Sequence, residues 1–113
     1  MKNYPSPVKD AASLEATIKN AEALLIYFYN DSCAPCVALR PKIKSMVEQQ
    51  FPLMEQVYIN AGNYPELAAT AGVFASPTII VYFDGKENLR LSKYVSVVEL
   101  SQKIERYYTL KFE

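Results

Sequence analysis

The chain has 113 residues, twelve Lys and Arg against twelve Asp and Glu, and a composition that is 50% hydrophobic. This length suits one domain spanning residues 1–113, and the hydrophobic content excludes a disordered chain. The zero net charge gives no electrostatic basis for binding nucleic acid or an anionic membrane. The absence of His excludes Ser-His and Cys-His nucleophile pairs and most metal sites, which leaves two cysteines as the obvious chemical groups.

The predicted elements alternate between helices and strands after an N-terminal arm. Pro5 and Pro7 favour an extended arm over residues 1–9. Hydrophobic spacing and capping signals then predict, in chain order, a helix over 10–21, a strand over 24–29, a helix over 33–50, a strand over 53–59, a helix over 65–71, strands over 78–83 and 89–95, and a last helix that opens at the capping box 96–99.

One proline and one turn refine this layout. Pro41 should bend the helix over 33–50 because it has no N–H to donate to the preceding turn. Asp84-Gly85 should form the turn of a closing antiparallel hairpin. Strands that are separated by helices require a parallel pair, so the prediction is an α/β fold with a mixed sheet covered by helices on both faces.

The first residues show no apolar segment of the kind found in a signal peptide. The longest uncharged apolar run, over 23–29, has seven residues, whereas a membrane helix needs about 20. With Met1 as the natural start, we expect a soluble cytoplasmic protein without a membrane partner, in a compartment that keeps thiols reduced.

Cys33-Ala34-Pro35-Cys36 places a C-x-x-C motif directly after a buried strand and at the start of a helix. The unpaired N–H groups and positive dipole end of a helix favour a thiolate, and in such motifs the thiol pKa falls from about 8.5 to about 7 or below. Cys33 is predicted to be the exposed attacking sulfur, and Cys36 the resolving thiol beneath it. Pro35 fits the first turn, where no N–H is needed.

Three other interpretations of the cysteine pair stay open at this point. A structural disulfide is disfavoured because its loop is short and the cytoplasm is reducing. A zinc site is disfavoured because only a symmetric dimer could supply four ligands. The third interpretation is a pair of unreactive core cysteines, since free Cys is commonly buried.

The motifs together resemble the thioredoxin family over nearly the whole chain. Besides the C-x-x-C motif after its strand, the resemblance rests on Pro41 five residues past Cys36, on Ser76-Pro77-Thr78 before a strand, and on Phe83-Asp84-Gly85 at the hairpin turn. It implies a thioredoxin-like three-layer α/β/α sandwich with a mixed central sheet of four to five strands. It also implies thiol–disulfide exchange through Cys33 and Cys36, without a cofactor or a metal.

The resemblance further implies that the bond before Pro77 is cis and that this proline lies beside the cysteines. Without it, a trans bond would be expected. In the family, this arrangement keeps the backbone beside the cysteines open. Ser76 is then expected to pair with a substrate strand through main-chain hydrogen bonds, and Thr78 to open the following strand.

Several positions depart from the family pattern beneath the cysteines. Tyr27 stands where the family has a buried Asp, and Tyr58 stands where it has the Lys partner of that Asp. We therefore expect Cys36 to lose its proton to water or to Cys33, and the mixed disulfide to resolve slowly. Two interpretations of Tyr27 and Tyr58 stay open: they take part in proton transfer, or they pack as a core pair with bonded hydroxyls.

Other departures fall on the rim of the site. Ser32 replaces a Trp, Ala34 replaces a Gly, and Lys93 falls where the family has a loop Gly. Ala75 and Ser76 replace Gly and Ile. Together these substitutions predict a bulkier and more polar substrate groove than that of a housekeeping thioredoxin, with different partners.

The function predicted from these residues is the reduction of protein disulfides by a monomer. Its electrons come from an external reductase or a low-molecular-weight thiol. Pro35 favours a potential near the thioredoxin value of about −270 mV over the about −120 mV of a strong oxidant. Two alternatives are a thioredoxin-fold binding or chaperone-like module with little turnover, and a disulfide isomerase or oxidant.

Overall fold

The computed structural model describes residues 8–112, so most of the predicted N-terminal arm lies outside the described residues. Eight elements follow one another along the chain. They are α1 (Ala11–Asn20), β1 (Ala23–Tyr29), α2 (Ala34–Gln50), β2 (Glu55–Asn60), α3 (Pro65–Thr70), β3 (Thr78–Phe83), β4 (Lys86–Ser92) and α4 (Val97–Phe112). This order is the predicted one. None of these helices is both long enough and apolar enough to cross a membrane.

The four strands form one mixed sheet in the order β2-β1-β3-β4. β1 pairs in parallel with β2 and antiparallel with β3, and β3 pairs antiparallel with β4. β1 and β3 are buried along nearly their whole length, as the continuous apolar runs in their sequences predict.

Helices cover both faces of the sheet, which confirms the three-layer α/β/α sandwich. On the α2/α4 face, side chains such as Leu25 and Tyr27 of β1 pack with Ile43 of α2 and Ile104 of α4. On the opposite α1/α3 face, Leu24, Ile26 and Phe28 of β1 pack with Leu14 of α1 and Leu67 of α3. Because successive side chains of β1 point to opposite faces of the sheet, this strand contributes to two separate cores.

Two helix starts carry the predicted caps. The Ser13 N–H donates to the Asp10 carboxylate over 2.8 Å, and the Asp10 N–H donates back to the Ser13 hydroxyl over 3.3 Å. Asp10 is therefore the N-cap of α1, as predicted. At α4, the Glu99 N–H donates to the Ser96 hydroxyl over 3.2 Å. These bonds satisfy N–H groups that have no partner inside the helix.

The predicted bounds of β4 were wrong. The strand runs over Lys86–Ser92 and not over 89–95. Asp84 and Gly85 both have positive φ, at 55° and 80°, so a two-residue turn lets Lys86 pair at once with Phe83. Lys93 ends the strand because it adopts a left-handed conformation with φ of 66°.

The predicted start of β2 was also early. Leu53 is 60% exposed, and its N–H donates to the Tyr108 hydroxyl over 3.1 Å and not to a neighbouring strand. Pairing begins at Glu55, opposite Leu24 of β1. Pro41 lies inside α2 as predicted, while the bend that it should cause stays a prediction.

Candidate active site

Cys33 and Cys36 form a disulfide at the N-terminus of α2. Cys33 is the N-cap residue, and its Sγ accepts a hydrogen bond from the Cys36 N–H over 3.2 Å. Cys33 is partly exposed, whereas Cys36 is 0% exposed. An outer sulfur that a partner can reach therefore lies above an inner sulfur that it cannot reach, and a helix N–H points at the outer one.

The N-terminus of α2 with the two cysteines forms one wall of the site, and the segment before β3 forms the other. The Ser76–Pro77 peptide bond is cis, as the resemblance implied. Pro77 is buried and Ser76 is partly exposed. The Thr78 hydroxyl donates to the Ala75 carbonyl over 2.7 Å, and it lies 3.0 Å from the Ser92 hydroxyl. Thr78 thereby ties the rim to β4.

An asparagine that the sequence analysis did not single out links the two walls. Asn30 Nδ2 donates to the Ser76 hydroxyl over 3.2 Å, and the Ser32 hydroxyl donates to Asn30 Oδ1 over 3.0 Å. Asn30 follows β1 directly, and a polar residue at that place is the signal that could have identified it. The bonds fix the loop before Cys33 relative to Ser76.

Two grooves flank this site and differ in charge. The first, which we call the lysine groove, has a volume of about 660 Å³. Its walls include Pro35, Leu39, Lys42, Pro77, Lys93 and Glu99. The second has a volume of about 500 Å³, and its lining holds the polar side chains of Asn30, Ser32 and Ser76 but no charged residue. We call it the apolar groove because it has no charge and carries the exposed Phe74 ring. Its walls include Ser32, Val73, Phe74, Ala75 and Ser76.

The predicted rim residues are therefore divided between the two grooves. Ser32, Ala75 and Ser76 line the apolar groove, and Lys93 lines the lysine groove. Phe74 is 89% exposed at the apolar groove. The positive charge that Lys93 adds to the rim thus lies on one side of the cysteines, whereas the polar replacements Ser32 and Ser76 lie on the other. Within residues 8–112, no three Cys, Asp or Glu side chains converge as a metal site would require.

Tyr27 and Tyr58 form the core pair that was one of the two interpretations. Their ring centroids are 5.4 Å apart and both residues are buried. The Tyr27 hydroxyl donates to the Cys36 carbonyl over 2.9 Å, and the Tyr58 hydroxyl donates to Gln56 Oε1 over 2.6 Å. Burial strongly raises the pKa of Tyr27. Tyr27 is thus a neutral hydrogen-bond donor at neutral pH, unlike the carboxylate that it replaces.

Arg40 is a second residue that the sequence analysis missed. It is only 8% exposed, and its guanidinium carbon lies 4.6 Å from the centroid of the Tyr29 ring. Its charge partly offsets the effect of burial on the pKa of Tyr27. Arg40 lies four residues after Cys36 and three before Ile43, so a charged residue on the apolar stripe of α2 was the available signal.

Comparison with known proteins identifies the class to which this fold and disulfide belong. The family model for Thioredoxin matches residues 6–106. The Thioredoxin-like protein YdfQ of Bacillus subtilis is 34% identical over 98 residues, which cover 87% of each chain. Thioredoxin 1 of Thermosipho africanus has a TM-score of 0.73 and 30% identity over 80% of this chain and 99% of its own. Oxidised mitochondrial thioredoxin 3 of Saccharomyces cerevisiae has a TM-score of 0.79 and 22% identity over 88% and 92%.

The chain belongs to the thioredoxin family. It is a protein-disulfide oxidoreductase, and the Cys33–Cys36 bond is its redox-active disulfide. This assignment replaces the structural-disulfide, zinc-site and inert-core interpretations of the cysteine pair.

Proposed function

We propose that the protein reduces protein disulfides, with Cys33 as the nucleophile and Cys36 as the resolving thiol. The observation that carries this proposal is the contrast in access between the two sulfurs. Cys33 is partly exposed at the N-terminus of α2, and Cys36 is 0% exposed beneath it. A substrate disulfide can therefore meet one sulfur first.

The reaction proceeds by two exchanges. The Cys33 thiolate attacks one sulfur of the substrate disulfide, which forms a mixed disulfide and releases the first substrate thiolate. Cys36, after losing its proton to water, attacks Cys33 Sγ, forms the Cys33–Cys36 bond and releases the second thiolate. Two electrons pass to the substrate, and two protons from the dithiol or solvent complete its thiols. An external reductase or a low-molecular-weight thiol returns the two electrons.

The protein groups around the sulfurs have separate tasks in this proposal. The Cys36 N–H, which donates to Cys33 Sγ over 3.2 Å, stabilises the attacking thiolate. Ser76 offers its backbone to the substrate strand. The side-chain amide of Asn30 holds Ser76 and Ser32 in fixed positions through two hydrogen bonds.

Insulin reduction with dithiothreitol tests the activity, and serine variants test the roles. Cys33→Ser should abolish acceleration over dithiothreitol alone. Cys36→Ser should also lose this acceleration. After removal of dithiothreitol, the reduced variant should accumulate a covalent complex with insulin that non-reducing gels and mass spectrometry detect. A complex that accumulates with Cys33→Ser and not with Cys36→Ser would reverse the assigned roles. No acceleration by the intact dithiol protein would leave the binding or chaperone-like function as the better account.

A disulfide isomerase or oxidant is the second candidate, and Arg40 favours it. Arg40 is buried one helical turn past Cys36, and a cation close to a cysteine thiolate would stabilise the reduced form and so raise the reduction potential. A glutathione titration of the cysteine pair separates the candidates. A reduction potential of about −270 mV supports the reductase, and one of about −180 mV supports the isomerase.

The proposal includes a monomer in the cytoplasm, with roles in electron transport and redox homeostasis. A reducing compartment suits it because the dithiol must be regenerated between turnovers. Alkylation of cells in acid, followed by a mass-shift assay, should find Cys33 and Cys36 mostly reduced. Light scattering of the purified protein should give the mass of one chain, 12.8 kDa.

A further inference from the structure

Lys93 adopts a conformation that is unfavourable for a lysine. Its φ is 66°, in the left-handed region that Gly occupies without cost. Its N–H donates to the Pro77 carbonyl over 2.8 Å, so this backbone is fixed directly against the proline of the active site. Non-glycine residues held in such conformations cluster at functional sites. Lysine therefore occupies this place at a cost to folding that glycine would not carry.

A second lysine faces the same groove from the other wall. Lys42 comes from α2 and Lys93 from the loop after β4, and both are exposed. Neither ammonium group has a hydrogen bond or ion pair with another side chain in the described range 8–112. Glu99, the carboxylate of the groove, is already paired with Lys103 over 3.2 Å. The groove thus presents two uncompensated positive charges.

The groove also lies within reach of the reacting sulfurs. Pro35, between the two cysteines, and Pro77 are both part of its lining. On the far side of the cysteines, the apolar groove has no charge in its lining. An extended chain that crosses the site therefore meets positive charge on one side of its own cysteine and an uncharged surface on the other.

We propose that the lysine groove selects disulfide-bonded polypeptides that carry an acidic side chain within about two residues of the reactive cysteine. This inference rests on the proposed reductase function and names its substrate class. Lys42 and Lys93 act as specificity-determining residues, because each places a cation where the carboxylate of such a substrate arrives. They leave the exchange chemistry itself to Cys33 and Cys36.

The test is a single-turnover oxidation, which needs no recycling reductase. The protein is reduced, freed of reductant and mixed with the homodimeric disulfide of a short peptide. One protein dithiol and one peptide disulfide give the Cys33–Cys36 disulfide and two peptide thiols. Four peptides are compared. The first has Glu two residues before the cysteine, the second has Glu two residues after it, the third has Lys at those places, and the fourth has Ala there. Each rate is divided by the rate with dithiothreitol, which corrects for the effect of the charge on the peptide thiol.

We expect one of the two Glu peptides to react about fivefold faster than the Ala peptide, and the Lys peptide to react more slowly than the Ala peptide. The preference should shrink in about 0.5 M salt because screening weakens the contact. Equal corrected rates for all four peptides would overturn the proposal while leaving the reductase function intact. No reaction with any peptide would instead count against the reductase function.

Charge reversal supplies the matched control. The double variant Lys42→Glu, Lys93→Glu should prefer the Lys peptide. The double variant Lys19→Glu, Lys86→Glu carries the same change in net charge at the opposite end of the sheet, near Gly85, and should keep the preference for Glu. If both double variants lose the preference equally, net charge and not the groove sets it, and the proposal is wrong.

Lys93→Gly gives a second readout that cannot be confused with misfolding. Glycine relieves the positive φ, so the thermal midpoint should rise while the preference for Glu falls to about half. A variant that is more stable and equally selective would overturn the role of Lys93.

Discussion

Tyr27 and Phe28 are neighbours in β1, both are 0% exposed, and they point to opposite faces of the sheet. On the α2/α4 face, the Tyr27 hydroxyl reaches the Cys36 carbonyl over 2.9 Å. On the α1/α3 face, Phe28 has no polar atom in its side chain and packs among aliphatic neighbours such as Ile26 and Ile59. Equal burial therefore serves different purposes on the two sides of one strand.

This difference between the two faces separates residues that stabilise the fold from residues that lie near the redox-active cysteines. The α2/α4 face carries two buried polar groups, the Tyr27 hydroxyl, which bonds to the Cys36 carbonyl, and the Arg40 guanidinium, which lies over the Tyr29 ring. The α1/α3 face holds α1 and α3 against the sheet. Removing the Arg40 charge on the first face should alter the reduction potential, whereas changes on the second face should alter stability alone.

The largest expected effect comes from the α1/α3 face. Phe28→Ala should lower the free energy of unfolding by about 3–5 kcal/mol, because it removes a fully buried ring and leaves a cavity. The reduction potential should not change. Denaturant unfolding and a glutathione titration measure the two quantities. Phe28→Leu is the control and should cost less than the Ala variant, because it fills more of the cavity. A shifted potential in the Ala variant would break the comparison.

Arg40→Met should have a smaller effect, and it should change the reduction potential, which Phe28→Ala leaves unchanged. Removing the buried cation disfavours the thiolate of the reduced form, so the potential should become more negative by about 30 mV. Arg40→Lys keeps the charge and should retain most of the original potential. The same glutathione titration measures all three proteins. An unchanged potential with Arg40→Met would confine Arg40 to packing against Tyr29.

Tyr27→Phe tests whether the buried phenol takes part in proton transfer when the mixed disulfide resolves. It should lower the free energy of unfolding by about 1 kcal/mol, the value of one buried hydrogen bond. The rate at which the mixed disulfide resolves should stay within about twofold, because a phenol of raised pKa that donates its proton is no general base. Stopped-flow kinetics from pH 6 to pH 9 measure this rate. A loss of about a hundredfold, typical of a missing general base, would contradict it.

Asp10→Asn should have the smallest effect, again on stability alone. The backbone hydrogen bond from Ser13 lowers the pKa of Asp10 below its ordinary value of 3.8. The carboxylate therefore stabilises the fold above that value, and this contribution is lost as the pH falls through the lower folded pKa. Between pH 7 and pH 2.5, the thermal midpoint of the native protein should fall a few degrees further than that of the Asn variant. Parallel falls would mean that the cap contributes no pH dependence.

The sequence was sufficient for the fold and for the cysteine pair because those signals are local. The apolar run over 24–29 and the C-x-x-C motif after it lie within a dozen residues, and the structure places them as β1 and the start of α2. The limits of β4 were harder to predict. It is an edge strand whose first residues, Lys86 and Glu87, are exposed, so the apolar pattern begins only at Leu89.

The residues missed in the site depend on contacts between distant segments. Asn30 joins Ser76, 46 positions away, and no pattern around either residue encodes that bond. Arg40 stacks on Tyr29 across the gap between α2 and β1, which only the packing of the two elements brings about. Side-chain positions fixed by tertiary packing are therefore the part that sequence reasoning could not supply.

The edge strand β4 also bears on how the protein behaves when it is crowded. Open strand edges invite other chains to pair with them, and charged side chains and bulges discourage such pairing. β4 carries the exposed Glu87–Arg90 ion pair, its pairing with β3 shifts register between Val81 and Tyr82, and Arg90 is anchored to the Ala71 carbonyl over 2.9 Å. A protein that exchanges disulfides with other chains thereby protects this edge of its own sheet from pairing with them.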